Sequence, residues 1–150
     1  MIQSPAAQSD TYLLQRINGA TPEQLCILLL EGAQRFLRQA IQSTADRNVA
    51  DKARYVNRVS AIIEELTVQL NMDEGSELVV NLTRIYDWWM HQLFEGSLHN
   101  RPETFEMIYA QMGSIRETWE ELAARGSVSA ARAQQPLSPQ SGGLGTEFIG

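Results

Sequence analysis

Cysteine is almost missing from this chain: Cys26 is the one thiol in 150 residues. A lone thiol rules out an intramolecular disulfide framework and fits a reducing compartment. No Cys-rich zinc pattern and no Gly-rich phosphate loop occurs, so structural zinc and nucleotide chemistry are not expected. No apolar run approaches the roughly 18 residues of a membrane span, so membrane insertion is not expected. The opening Met1-Ile2-Gln3-Ser4-Pro5 lacks the basic start and long apolar stretch of a signal peptide, which makes the cytosol the expected location. Basic residues are also scarce: 12 Lys and Arg face 18 Asp and Glu, a net charge of −6. Between Arg58 and Arg84 there are five acidic residues and no basic one. A phosphate-binding surface needs clustered bases to displace counterions, so neither nucleic acid nor an anionic membrane surface is an expected partner.

What the chain does have is helical periodicity, in four segments. Thr21 is placed as an N-cap, Pro22 as the first helical residue and Gln24 as the partner in a capping box. That first helix is expected to reach Thr44 or Ala45. A second runs from about Ala50 to Leu70, with Val56, Val59, Ile63, Leu66 and Leu70 spaced 3, 4, 3 and 4. Asp73-Glu74-Gly75-Ser76 turns the chain into a third, to Leu98, with Leu78, Leu82, Ile85, Trp89 and Leu93 read as inward. Asn100-Arg101-Pro102 breaks it. The fourth carries Phe105, Ile108, Met112, Ile115, Trp119 and Leu122 inward, and Gly126 is read as its stop. Four helices of about 20 residues on short turns predict an all-α fold, an antiparallel four-helix bundle. The expected division is an N-terminal segment at 1–20, the bundle at 21–125 and a tail at 126–150. The tail is dominated by Gly, Ser, Pro, Gln and Ala and is predicted to be disordered, with Phe148-Ile149 a chance apolar pair.

Two stretches carry more apolar surface than one buried stripe requires: Thr21-Pro22-Glu23-Gln24-Leu25 running into Leu28-Leu29-Leu30-Glu31-Gly32, and Leu70-Asn71-Met72-Asp73-Glu74-Gly75 running into Asn81-Leu82 and Ile85-Tyr86-Asp87. A bundle helix needs an apolar face only about 100° wide, and surplus of this kind calls for a cover, often another chain. This favours a binding protein over an enzyme. Cys26 lies in an apolar run, where a thiol is an inert small hydrophobe. His91, Glu95 and His99 share a helix face at i, i+4 and i+8 but lack the paired Glu-x-x-His ligands of bundle metal sites. They are read as a solvated polar face, and no cofactor or metal is expected. The rival reading is a histidine phosphotransfer bundle using His91. Its surroundings, His91-Gln92-Leu93-Phe94-Glu95-Gly96-Ser97, put Phe94 where such domains resemble one another in a Lys, and Glu95 would repel a phosphoryl group.

Taken in order, the motifs resemble the FliS family, the cytosolic export chaperones for flagellin in bacterial flagellar assembly. The resemblance covers about Tyr12 to Leu122. It rests on Tyr12, on Pro22, Leu25 and Leu28-Leu29-Leu30-Glu31-Gly32, and on Asn57-Arg58 with Ile62-Ile63-Glu64-Glu65-Leu66. It continues through Leu70, Asp73-Glu74-Gly75, Asn81-Leu82-Thr83-Arg84-Ile85-Tyr86-Asp87-Trp88-Trp89 and Trp119. Leu30 stands where the family has tyrosine, and Trp88-Trp89 where it has Tyr-Met. The resemblance implies no catalysis, binding of the C-terminal segment of flagellin, and delivery to the flagellar type III export apparatus. Candidate partner-binding residues are Tyr12, Ile17, Leu30, Ile62, Asn81, Tyr86 and Trp88. Trp88 falls with Asn81, Arg84 and His91 outside the core stripe, Ile62 lies off the second helix's stripe, and Tyr86 is inclined towards a groove. In the resembled family the segment holding Tyr12 and Ile17 lies over part of the client surface.

Overall fold

The computed structural model describes residues 18–70 and 75–133, the last seven of them as backbone only. Four helices appear in chain order: α1 (Pro22–Ala45), α2 (Val49–Leu70), α3 (Glu77–Leu98) and α4 (Pro102–Ala133). The described residues contain no strand.

Three of the four starts have a side-chain cap. The Thr21 hydroxyl accepts from the Gln24 amide at 3.2 Å, and the Gln24 side-chain oxygen accepts from the Thr21 amide at 3.0 Å. This is the expected capping box, with Pro22 beginning the helix. Asn48 serves α2, its side-chain oxygen accepting from the Asp51 amide at 3.0 Å. Ser76 serves α3 by accepting from the Val79 amide at 3.1 Å. Each such cap is worth about 1 kcal/mol.

Every helix packs on its neighbours in sequence, and α1 closes the ring against α4. With connections of three to six residues between successive helices, this is the antiparallel four-helix bundle expected from the periodicity. The core takes Cys26, Leu30, Ala33, Leu37 and Ala40 from α1, and the whole predicted stripe Val56, Val59, Ile63, Leu66 and Leu70 from α2. From α3 come Leu82, Tyr86, Trp89 and Leu93, and from α4 Phe105, Ile108 and Met112. Ile115 and Trp119 are half-buried against this cluster.

Two buried polar side chains tie the elements together. Gln34 donates to the Tyr109 carbonyl at 3.1 Å and accepts from Arg116 Nη1 at 3.1 Å, joining α1 to α4. Lys52 donates to the Ser97 carbonyl and to Asn100 Oδ1, both at 2.7 Å. This puts a cation at the C-terminus of α3, where the helix dipole favours one.

The seam between α3 and α4 is the loosest of the four. It is pinched at the turn, where a Cβ added to Gly96 would lie 2.9 Å from Thr104 Cβ. That approach is open only to glycine.

Two expectations are corrected. Leu78 is 44% exposed because it sits in the first turn of α3, before the layer set by Leu82. Gly126 does not end the last helix. Among the described residues only Gly75, at φ 93°, is a glycine in the left-handed conformation that a glycine stop requires. An interior glycine costs a helix only about 1 kcal/mol, and the helix continues to Ala133. Gly96 faces Thr104 and Trp89 bonds Gln111, a register that sets Glu77 opposite residue 123. The last ten residues of α4 therefore overshoot the start of α3 by about 15 Å. The rest of the expected tail, 134–150, lies outside the described residues.

Candidate partner-binding site

Helix α3 is apolar on more than its buried face. Successive residues step by 100°, so Trp88 and Trp89 cannot both point inward. Trp89 is fully buried, stacks at a tilt on Tyr86 with ring centroids 5.3 Å apart, and donates its indole N–H to Gln111 Oε1 at 2.8 Å. Trp88 is turned out and remains 41% exposed. It forms one wall of an open groove of about 430 Å³ along the α3–α4 seam, lined by Arg84, Ile85, Trp88, Gln111, Ser114 and Ile115. The floor is stiff, since Gln111 is held by Trp89. The walls are apolar with a few polar edges, a pattern suited to an amphipathic helix laying its apolar face into a groove.

The remaining outer surface of α3 adds Val80, Phe94 and Leu98, all exposed. A shallow hollow there is lined by Asp87, Met90, His91, Phe94, Glu95 and Leu98. His91 is exposed in it, and the one pairing of its proposed polar face is His99 Nε2 to Glu95 Oε2 at 3.3 Å. Among the described residues no three His, Cys, Asp or Glu side chains are grouped so as to hold a metal ion. No described helix is long and apolar enough to cross a membrane.

The candidate residues separate. Asn81 and Trp88 are both exposed and lie two turns apart on one flank of α3. Ile62 is half-buried on the α1–α2 seam, beside Gly32, and so belongs to another part of the surface. Leu30 and Tyr86 are corrections: both are fully buried and cannot touch a partner while the bundle is closed. Leu30 continues the stripe Cys26, Leu30, Ala33, Leu37, Ala40, whose 4, 3, 4, 3 spacing was readable. For α3 the inward pair is Tyr86 with Leu82, while Ile85, expected in the core, is half-buried and lines the groove. Tyr12 and Ile17 lie outside the described residues. Sequence reasoning missed Ile85, Gln111, Ser114 and Ile115 as groove residues, because which α4 side chains stand opposite Trp88 depends on the register of α4 against α3, which no local pattern fixes.

Buried chemistry beneath the groove is inert. Burial, then the charge of Glu23, pushes the Cys26 thiol up to about 11, which keeps it protonated. Burial pushes the Tyr86 hydroxyl well above its ordinary range, against a smaller opposing pull from the Trp119 indole and with a further push from Cys26. Trp119 thus lies close to Tyr86, yet neither the hydroxyl nor the indole N–H reaches hydrogen-bond geometry with any described group.

The family model of the flagellar protein FliS matches residues 4–126. The flagellar secretion chaperone FliS of Salmonella typhimurium is 26% identical over 127 residues, covering 84% of this chain and 94% of the relative. Its namesake in Bacillus subtilis is 25% identical over 120 residues, covering 80% and 86%. The flagellar secretion chaperone FliSB of Pseudomonas aeruginosa is 25% identical over 105 residues, covering 70% and 83%.

Proposed function

The chain belongs to the FliS family, and from that premise we propose that it is a cytosolic export chaperone. It binds the C-terminal region of flagellin, prevents premature polymerisation and delivers the subunit to the flagellar type III export apparatus. The observation that supports this most directly is the α3–α4 groove with Trp88 in its wall. The names of the relatives, flagellar secretion chaperones in Salmonella and Bacillus, favour the same reading.

The mechanism is coupled folding and binding without catalysis. A flagellin end that is helical only when packed presents an amphipathic helix, and its apolar side chains seat against Trp88, Ile85 and Ile115. Each fully buried Leu, Val or Ile anchor contributes about 1.5–3 kcal/mol, and ordering the client offsets about 2–5 kcal/mol. One groove of this size therefore gives weak binding, and the client must continue over further apolar surface, which Val80, Phe94 and Leu98 of α3 provide. The test is calorimetric titration of the chain with the C-terminal segment of a flagellin from the same cell. A one-to-one complex that suppresses filament growth is expected; no binding, or binding that leaves polymerisation untouched, refutes the reading.

A further inference from the structure

The net charge of −6 hides a division. Residues 35–58 contain six basic residues (Arg35, Arg38, Arg47, Lys52, Arg54, Arg58) and two acidic ones (Asp46, Asp51), a local balance of +4. The rest of the chain holds the other six basic and 16 acidic residues, a balance of −10. Folding brings four of these arginines, all exposed, onto the outer surface of α1 and α2.

They are held in a specific way. Arg58 lies over the Phe36 ring at 5.6 Å, Phe36 stacks on Tyr55 with centroids 6.1 Å apart, and Arg54 lies over Tyr55 at 4.9 Å. The result is a ladder of guanidinium, ring, ring and guanidinium across the α1–α2 seam. Arg38 lies over Tyr109 at 4.9 Å. Arg35 Nη2 sits above Gly32 beside Ile62, each 3.6 Å from the position a Cβ on Gly32 would take. Among the described residues, Arg54 alone of the four has a carboxylate within ion-pair distance, Asp51 at 3.1 Å.

Arg54 commits its Nη2 to Asp51 Oδ1 at 3.1 Å and to the Tyr55 hydroxyl at 3.2 Å, which leaves its other N–H groups, and those of Arg58 over Phe36, to meet a carboxylate in the planar geometry that Arg favours. Their rotamers are already restricted, so less freedom is lost on binding. Arg38, on Tyr109, faces α4, whereas beneath Arg35, Arg54 and Arg58 lie half-buried Phe36, Tyr55 and Ile62, an apolar centre with a charged rim. Arg54 and Arg58 are themselves at i and i+4, the spacing at which carboxylates on a partner helix stand about 6 Å apart.

We propose that the α1–α2 seam is a second docking surface, which takes an acidic helical segment of a partner protein. It lies across the ring of helices from the α3–α4 groove, so both can be filled at once. The proposal holds whatever occupies the groove. The acidic remainder of the molecule repels such a partner and steers it to this flank. A nucleic acid suits the surface poorly: its closely spaced phosphates would run past the arginines onto Asp51 at one end and Glu64-Glu65 at the other.

The probe is a fluorescent alanine-based helix of about 20 residues, long enough to hold its fold, with glutamates at i and i+4. Its glutamine counterpart and a single-stranded oligonucleotide of equal charge are the comparisons. Anisotropy on the full chain should show the glutamate helix binding at low salt and weakening strongly with added salt. The glutamine helix should bind at least about 10-fold more weakly. Arg54→Gln with Arg58→Gln should weaken the glutamate helix by about 10-fold or more, at unchanged helical content by circular dichroism. Trp88→Ala should change it less than about 2-fold. Absent binding, equal binding of the glutamine helix, indifference to the arginine pair, or tighter binding of the oligonucleotide each overturns the proposal.

Discussion

Trp88→Ala is the most direct test of the groove, and its size can be worked from exposure. A tryptophan side chain buries about 150–250 Å² when fully covered, and 41% of this one is uncovered. A client that closes over it removes roughly 60–100 Å² from water, or about 1.5–2.5 kcal/mol at about 25 cal/mol per Å². Loss of that term should raise the Kd for the flagellin segment by about 10- to 70-fold. The covered remainder of the ring also contributes to folding, so the variant should melt at a lower temperature. Binding must therefore be measured well below the melting transition and referred to folded protein. Phe94→Ala reads the extended surface instead: Phe94 is 46% exposed on the outer surface of α3, away from the α3–α4 groove, and should cost binding only as far as the client continues past the groove. If Trp88→Ala leaves calorimetric affinity within 2-fold, or Phe94→Ala costs more than Trp88→Ala, the groove is not the principal anchor.

Gly96→Ala should lower stability by about 1–3 kcal/mol, because the added Cβ meets Thr104 Cβ at 2.9 Å; an unchanged or raised melting temperature would mean that the gain in helix propensity wins. Lys52→Met should cost about 2–4 kcal/mol in denaturant unfolding, since it abandons the Ser97 carbonyl and Asn100 that the ammonium now satisfies. Stability should fall as pH rises above about 9, where the unfolded thiol ionises while folded Cys26, pushed up to about 11, does not. Tyr86 acts in the same direction at higher pH, so Cys26→Ala with Tyr86→Phe should flatten the alkaline limb of a melting-temperature profile. At neutral pH Tyr86→Phe alone should be neutral or stabilising, since the hydroxyl it removes has no described partner.

The parts of this molecule that were legible in its sequence are those fixed locally. Thr21 and Gln24 are three residues apart, and their reciprocal bonds depend on nothing beyond the first helical turn. The α2 stripe from Val56 to Leu70 was read completely because the residues between its members are mostly polar. On α3 the same method failed by one step. Ile85 and Tyr86 are both apolar, a rotation of 100° exchanges them, and only packing against α2 and α4 decides that Tyr86 enters the core. Leu30 was assigned to a partner surface through a family position, although its own periodicity with Cys26 and Leu37 placed it inside. Gly126 was read as a stop from residue type alone, whereas the stop also needs a left-handed backbone that this residue does not adopt. The arginine ladder is not legible in the sequence for another reason: Phe36 and Tyr55 are 19 residues apart, and net charge averages the flank away.

The bundle is held unevenly, and this bears on which helix meets a partner. α1 is fastened on both sides, to α4 through the Gln34 bonds to Tyr109 and Arg116, and to α2 through the Phe36–Tyr55 stack. α3 is fastened at its C-terminal end, by Lys52 on its last turn and by the close approach of Gly96 to Thr104. Above that end, among the described residues, its side-chain bond to α4 is the one from Trp89 to Gln111. Elements with fewer such ties open at lower free energy, so the free half of α3 is the part best able to adjust its seam to an incoming helix. Its surplus of apolar surface lies on this same element, with Val80 and Trp88 toward the loose end. The Trp89–Gln111 bond fixes the floor of the groove, so any adjustment falls on the wall above it, while α1, tied to both of its neighbours, holds the arginine flank in place.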